Sequence, residues 1–284
     1  MVSKNNMGTS SPSLKIIFTP SEEAFNTVSA NALCSLTKGL ITSGKRTPNI
    51  TLARGNTQSG IYEELRGSSD MLDVLSQARF FQLDEVYPAP KSFAEFTEEE
   101  ILSSIFKDNI PDEKWVRFDT SKNPEQAIKE MRNAIQVYGG KLDLALLGLG
   151  ADGDDHYAQV GQYISAHSDI INPELSNGMI SSYISYIETI TSEDAFNVPT
   201  HGLSLAHAIM PDNLIITAKG INKAEPVYNM LCTPHFPNNA PEVSTTYLRK
   251  KKNVTVILDQ DAASMIKQHT ASLPKHAEMF EYAS

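Results

Sequence analysis

Short apolar runs alternating with helical patterns predict an α/β fold in which a mostly parallel, Rossmann-like sheet is flanked by helices. Three observations carry this reading. The strand candidates are rich in Leu, Ile and Val with little polar alternation, as strands buried on both faces are. Helical stretches with an apolar face separate them. Several strands end in Gly, Asp or Asn, the residues of strand-to-helix turns.

The elements follow in order. Leu14 to Phe18 reads as a first strand, and Pro20-Ser21 opens a helix with Ala24, Phe25, Val28, Ala32 and Leu36 on one face. Asn49 to Ala53 is a second strand, leading through Arg54-Gly-Asn-Thr-Gln-Ser-Gly60 into a helix near Ile61 to Leu65. Arg79 to Leu83 is a third strand, ending in Asp84-Glu85. Lys91 to Phe106 has helical character, and Trp115 to Phe118 reads as a short strand. Pro124 to Val137 is an amphipathic helix stopped by Gly139-Gly140. Leu142 to Leu147 is the central strand, Met179 to Ile190 is strand-like, and Leu214 to Ala218 and Val254 to Leu258 are the later strands.

Bulk properties narrow the function classes. The chain has 284 residues, enough for one large core, and no repeat or Gly/Pro/Ser-rich linker divides it. The expectation is a tail over residues 1–13 and one domain over 14–284. A net charge of −10 argues against nucleic-acid binding. The only dense basic run, Arg249-Lys-Lys-Lys252, reads as a solvated approach to a strand. No apolar run reaches membrane-spanning length, so no membrane partner is expected. Cys34 and Cys232 lack metal-ligand spacing and read as reduced thiols of a cytoplasmic protein.

Three strand-end loops could carry chemistry, and a parallel sheet would bring them to one edge. In Ala53-Arg-Gly-Asn-Thr57, a glycine beside hydroxyl and amide groups at a helix start can cradle a phosphate on backbone N–H groups; the bland alternative is an ordinary turn. Asp84-Glu85 is a carboxylate pair suited to general-base work, or a helix cap. Leu144-Ala-Leu-Leu-Gly-Leu-Gly-Ala-Asp-Gly-Asp-Asp-His-Tyr-Ala158 ends a buried strand in Gly148 and Gly150, then supplies Asp152 and His156 for proton transfer. That run lacks the spacing of a calcium loop, and no metal is expected there.

The ordered set of motifs resembles the glucosamine-6-phosphate deaminase and 6-phosphogluconolactonase superfamily. Leu52-Ala-Arg-Gly-Asn-Thr-Gln-Ser-Gly-Ile-Tyr62 is similar to its phosphate loop and following helix. Leu83-Asp-Glu85 resembles its Asp-Glu motif, and Leu146-Leu-Gly-Leu-Gly-Ala-Asp-Gly153 its glycine motif. Lys219-Gly-Ile-Asn-Lys-Ala224 and Leu258-Asp-Gln-Asp-Ala-Ala263 are similar to its two later motifs. Leu83 before Asp-Glu, Ser92-Phe-Ala-Glu-Phe96 and Tyr138-Gly-Gly140 resemble the deaminase branch, while the lactonase branch has an Arg where this chain has Val86.

The resemblance implies a hexose-phosphate substrate, no cofactor and a possible homo-oligomer. It implies Asp84 as the base moving a proton between C1 and C2, and Asp152 with His156 as the ring-opening pair. It implies phosphate or substrate contacts from Gly55, Asn56, Thr57, Lys223, Glu85, Gly148, Gly150 and His201.

The chain also departs from the pattern. Asp154-Asp155 separates Asp-Gly from the histidine, so His156 is aligned across an insertion. Gln159, Val160 and Gly161 stand near the position of a family glutamate. No Lys or Arg occurs from Gly161 to Ala218, where the family has a cationic phosphate ligand. Arg54 could hold a phosphate, hold a carboxylate, pair with Asp84, or fill the pocket and exclude phosphate. Deaminase, 6-phosphogluconolactonase and a sugar-phosphate binder with little catalysis all remain as readings.

Overall fold

The computed structural model describes residues 13–44, 46–53, 55–87, 109–151, 158–159, 170–171, 201–205, 211–233, 246, 248–249 and 251–282. Strand β1, Ser13–Phe18, buries Leu14, Ile16 and Phe18, and starts one residue inside the expected tail. Helix α1, Glu22–Ser43, starts at Ser21, whose hydroxyl accepts from the Ala24 amide at 3.2 Å. Its buried stripe is Phe25, Val28, Ser29, Ala30, Leu33, Cys34 and Thr37. Ala24, Ala32 and Leu36, expected on that face, lie half-buried at its margin. A sheet covers a broad helical stripe, and its centre here is rotated from the expected one.

The chain continues through β2, Asn49–Leu52, buried at all four positions, into α2, Asn56–Arg66, a full turn longer at its start than expected. Helix α3, Ser69–Leu75, was not foreseen; it is short and capped by the Ser68 hydroxyl. Strand β3, Arg79–Gln82, is followed after one residue by β4, Asp84–Tyr87. The Asp84-Glu85 pair therefore starts a strand and is not a loop or helix cap. Then come β5, Trp115–Val116, and α4, Pro124–Val137, which matches its expected bounds. Asn123 caps α4, and Gly139 and Gly140 end it with φ of 108° and 74°, left-handed values that disfavour a side chain.

The central strand β6, Leu144–Gly148, leads to two-residue strands β7, Gly150–Ala151, β8, Ala158–Gln159, and β9, Ile170–Ile171. Last come β10, His201–Leu205, β11, Asn213–Ala218, α5, Ala224–Cys232, β12, Asn253–Leu258, α6, Ser264–Gln268, and an unforeseen β13, Ala277–Glu281. The helix expected over Lys91 to Phe106 and the strand expected over Met179 to Ile190 lie outside the described residues.

Eight strands form one sheet in the order β13-β1-β12-β11-β6-β2-β3-β5, and every neighbouring pair in it is parallel. Along β6, Leu144 and Leu146 face one side with α1, α2 and α3, whereas Ala145 and Leu147 face the other with α4, α5 and α6. Both faces are thus covered, which explains the near-continuous apolar strands. A second sheet of three strands has the order β4-β10-β9, and β7 pairs with β8.

Two smaller expectations meet the structure differently. Cys34 and Cys232 are unpaired, and burial pushes the Cys34 thiol up to about 11, leaving it protonated and unreactive. Arg249, expected to be solvated, turns inward. Its guanidinium donates to the carbonyls of Met230, Leu231 and Thr233 at 2.6–3.2 Å and closes the C-terminus of α5. Among the described residues no helix is long and apolar enough to cross a membrane.

Candidate active site

Chain order and sheet order together locate the crevice. From β2 the chain moves outward through β3 to β5, then returns to β6 on the other side of β2 and proceeds to β11 and β12. Strand order therefore reverses between β2 and β6. In a parallel sheet the helices on either side of such a point diverge and leave a gap beyond the strand ends, where ligands bind.

The first wall of this gap is the start of α2. Gly55 sits at its N-cap with φ 127° and ψ 176°, a backbone conformation that L side chains rarely adopt. Its carbonyl accepts from the amides of Gln58 at 2.9 Å and Ser59 at 3.2 Å. Helix geometry then leaves the Asn56 and Thr57 amides without partners inside the helix, so the helix start presents donors and the positive end of its dipole. The approach to this turn is held firmly. The Ala53 amide donates to the Leu146 carbonyl at 2.8 Å, and the buried Tyr62 hydroxyl donates back to the Ala53 carbonyl. Arg54 lies outside the described residues.

The second wall is the end of β6. Gly148 pairs in register with Thr217 of β11, and Gly150-Ala151 then pairs antiparallel with Ala158-Gln159. Residues 152–157, which include Asp152 and His156, lie outside the described residues. The β7–β8 pair packs beside the turn Ile221–Lys223 and against α5. That contact brings Gly150 next to the segment carrying Lys223.

Lys223 stands at the N-cap of α5, half-buried, and forms no ion pair among the described residues. Burial lowers its pKa from the usual 10.5, because an ammonium group loses hydration there. The loop that carries it is shaped by Asp259 after β12. One carboxylate oxygen accepts from the Gly220 amide at 2.9 Å and the other from the Ala262 amide at 2.8 Å. Gly220 has φ 93°, again in the left-handed region.

The third wall is the short second sheet. Ser204 stands opposite Asp84, Leu203 opposite Glu85 and His201 opposite Tyr87. His201 is thus three pairs along the ladder from Asp84. Glu85 is only 4% exposed, and one of its carboxylate oxygens accepts from Gln82 Nε2 at 2.7 Å. Gln82 in turn accepts from the Phe118 amide at 2.9 Å, so it fixes the start of β4 to the chain after β5.

The structure therefore gathers Gly55, Asn56, Thr57, Gly148, Gly150 and Lys223 at one end of the sheet, with the strand that starts at Asp84 following β3 at that same end. Sequence reasoning missed Gln58, Thr217, Gln82 and Asp259. Gln58 was detectable: it recurs with Ile61, Tyr62 and Leu65 at helical spacing, and all four are buried. The other three each take at least one partner distant in sequence: Leu147 for Thr217, Phe118 for Gln82 and Gly220 for Asp259.

The family model for glucosamine-6-phosphate isomerases and 6-phosphogluconolactonase matches residues 20–158, a span that takes in the α2 start, Asp84 and the β6 turn. Glucosamine-6-phosphate deaminase of Bacillus cereus (strain G9842) is 26% identical over 247 residues, covering 83% of this chain and 84% of the relative. That of Alkaliphilus oremlandii is 28% identical over 226 residues, covering 76% and 87%. The chain is thus similar to members of this family along most of its length, at low identity.

Two solved structures show the family fold. A monomeric glucosamine-6-phosphate deaminase superposes with a TM-score of 0.71 at 17% identity, covering 89% of this chain and all of that one. The 6-phosphogluconolactonase of Trypanosoma cruzi gives 0.67 at 19% identity, with 90% and 98% covered.

Proposed function

We propose that the protein is a glucosamine-6-phosphate deaminase, converting its substrate to a ketose phosphate with release of ammonia. The observation that carries this reading is the gap between β2 and β6, where the free amides at the α2 start lie at the same sheet end as Lys223. Similarity to curated deaminases over 83% and 76% of the chain supports the reaction.

In this reading the amides around Gly55, Asn56 and Thr57 take the phosphate, and Lys223 adds the positive charge that amides lack. Arg54, beside them in sequence, adds a second cation. Asp84 takes the proton from C2 of the opened sugar and returns it to C1, while the C2 amine gives up a proton and O1 gains one, which leaves an imine at C2. Water then displaces ammonia from that carbon. Asp152 and His156 carry a proton to the ring oxygen during opening. Gly150 lets the sugar approach the backbone, whereas the room beside Gly148 is taken by the Gln58 amide; His201 and Glu85 support the far wall. Two unpaired cysteines fit a cytoplasmic setting.

The lactonase reading uses the same gap, with His156 acting on water at the lactone carbonyl. The deciding experiment measures ammonia release from glucosamine 6-phosphate beside hydrolysis of 6-phosphogluconolactone, each with Asp84→Asn as control. Ammonia release that disappears in the control supports the deaminase. Lactone hydrolysis that survives the control overturns it in favour of the lactonase.

A further inference from the structure

Gln58 is 1% exposed, in the first turn of α2, and no part of the chemistry above uses it. Its Nε2 donates to Thr217 Oγ1 at 3.0 Å. Thr217, itself fully buried, donates its hydroxyl proton to the Leu147 carbonyl at 3.2 Å. The chain of donors runs in one direction from α2 to β11 to β6. Between the two ends lies Gly148: a Cβ built there would fall 2.7 Å from Gln58 Nε2 and 3.2 Å from Oε1. The amide of Gln58 therefore rests directly on the backbone of β6, and only glycine leaves it room.

This arrangement matters because the α2 start has no side-chain cap of its own; Gly55 supplies none. Apolar packing by Ile61 and Leu65 holds the helix against the sheet but is non-directional. A directed hydrogen-bond chain in a buried site instead fixes one register. It joins the first turn of α2, the end of β11 and the end of β6, the elements around the gap.

We infer that Gln58 is a positioning residue that sets the distance between the phosphate-binding start of α2 and the glycine turn after β6, and so places the reacting carbons of the substrate. The inference rests on the sugar-phosphate reading given above. The role predicts that anchoring of phosphate survives loss of Gln58 while turnover does not, because the anchor is then held at the wrong spacing from the chemistry.

The test uses Gln58→Met, which keeps side-chain volume, with Thr217→Val, Thr217→Ser and the Gln58→Met/Thr217→Val double variant. Gln58→Met and Thr217→Val should each lower kcat on glucosamine 6-phosphate by about 10- to 100-fold, the scale of a misplacement near 1 Å. Competition by inorganic phosphate should stay within about twofold of wild type, and the double variant should be no worse than either single one, as expected for one coupled unit. Thr217→Ser, which keeps the hydroxyl, should retain turnover. Should Gln58→Met fail to fold, Gln58→Asn shortens the reach of the amide and carries the same expectation.

Turnover unchanged in a folded Gln58 variant overturns the inference, as does a weakening of phosphate competition that matches the loss of turnover. If wild type releases no ammonia, the deaminase reading fails separately. Thermal stabilisation by glucosamine 6-phosphate relative to inorganic phosphate then decides: loss of the excess in Gln58→Met supports the spacer role, and no loss refutes it. Wild type stabilised by neither ligand overturns both.

Discussion

The two ends of strands β2 and β6 are built on opposite principles. At their N-terminal end most polar groups are answered by protein, with Arg79 Nε a buried exception. Asp143 pairs with Arg46 Nη2 at 2.8 Å, accepts from the Asn49 amide at 2.9 Å, and offers its carbonyl to Asn213 Nδ2 at 2.8 Å. Asn49, fully buried, donates to the carbonyls of Tyr138 and Lys141, both at 2.9 Å, and Arg79 lies 3.5 Å above the Tyr138 ring. At the C-terminal end the same strands lead to Gly148 and Gly55, helix amides have no partner within their helix, and Lys223 has no carboxylate beside it among the described residues. One end consumes its hydrogen-bonding capacity to join β2, β6, β11 and α4. The other leaves capacity available to a ligand.

If this division is real, changes at one end should affect stability and changes at the other should affect turnover. The largest effect is expected from Asp84→Asn, which should reduce ammonia release by about 10²- to 10⁴-fold, the usual range for a lost general base, with melting temperature unchanged. A drop in melting temperature with full turnover would reverse the assignment of the ends.

At the opposite end, Asp143→Ala should destabilise the protein by about 3 kcal/mol, since it removes the acceptor of the buried Asn49 amide and the partner of the half-buried Arg46. Calorimetry should show a melting temperature lower by about 5–10 °C. The kcat measured well below that temperature should not change.

A sharper probe is Gly148→Ala. Its methyl group would displace the Gln58 amide, so turnover should fall by about 10-fold with little loss of stability. Equal turnover would mean that Gln58 adjusts freely and that the crevice tolerates slack.

The smallest effect concerns pH. Burial lowers the Lys223 pKa, so its charge is present below that lowered value and is lost as pH rises through it. Phosphate affinity should therefore weaken on the alkaline side earlier than an ordinary lysine predicts, and Lys223→Arg should flatten that limb. The same titration acts in the opposite sense on the free protein. Over the interval between the folded and unfolded pKa values the unfolded chain binds more protons, so this group's contribution to stability rises with pH. Inorganic phosphate titrations and melts across that range check both signs.

Much of this molecule was legible in its residues. Helix α4 could be bounded correctly because Asn123, Pro124 and Gly139-Gly140 signal start and stop locally. Strands β2, β6, β11 and β12 declared themselves through apolar runs that only a doubly covered sheet can bury. The loops after β2 and β6 could be nominated as well, because a parallel sheet brings glycine turns at its strand ends to one edge.

Local signals failed where the deciding partner lay far along the chain. Asp84-Glu85 reads in sequence as a strand-end pair or a helix cap, yet it starts a strand because β10, more than a hundred residues later, supplies the opposing ladder. Arg249 reads as solvated because its three carbonyl partners become available only when α5 ends beside it. Gln58 carries the right periodicity for burial, but its amide is satisfied by Thr217, 159 residues away. Composition, periodicity and caps, being local properties of the chain, determined the fold class, most elements and the loops worth watching. Tertiary structure decided which strands adjoin, where their order reverses and which buried polar groups answer one another, because those depend on contacts that do not exist until the sheet has formed.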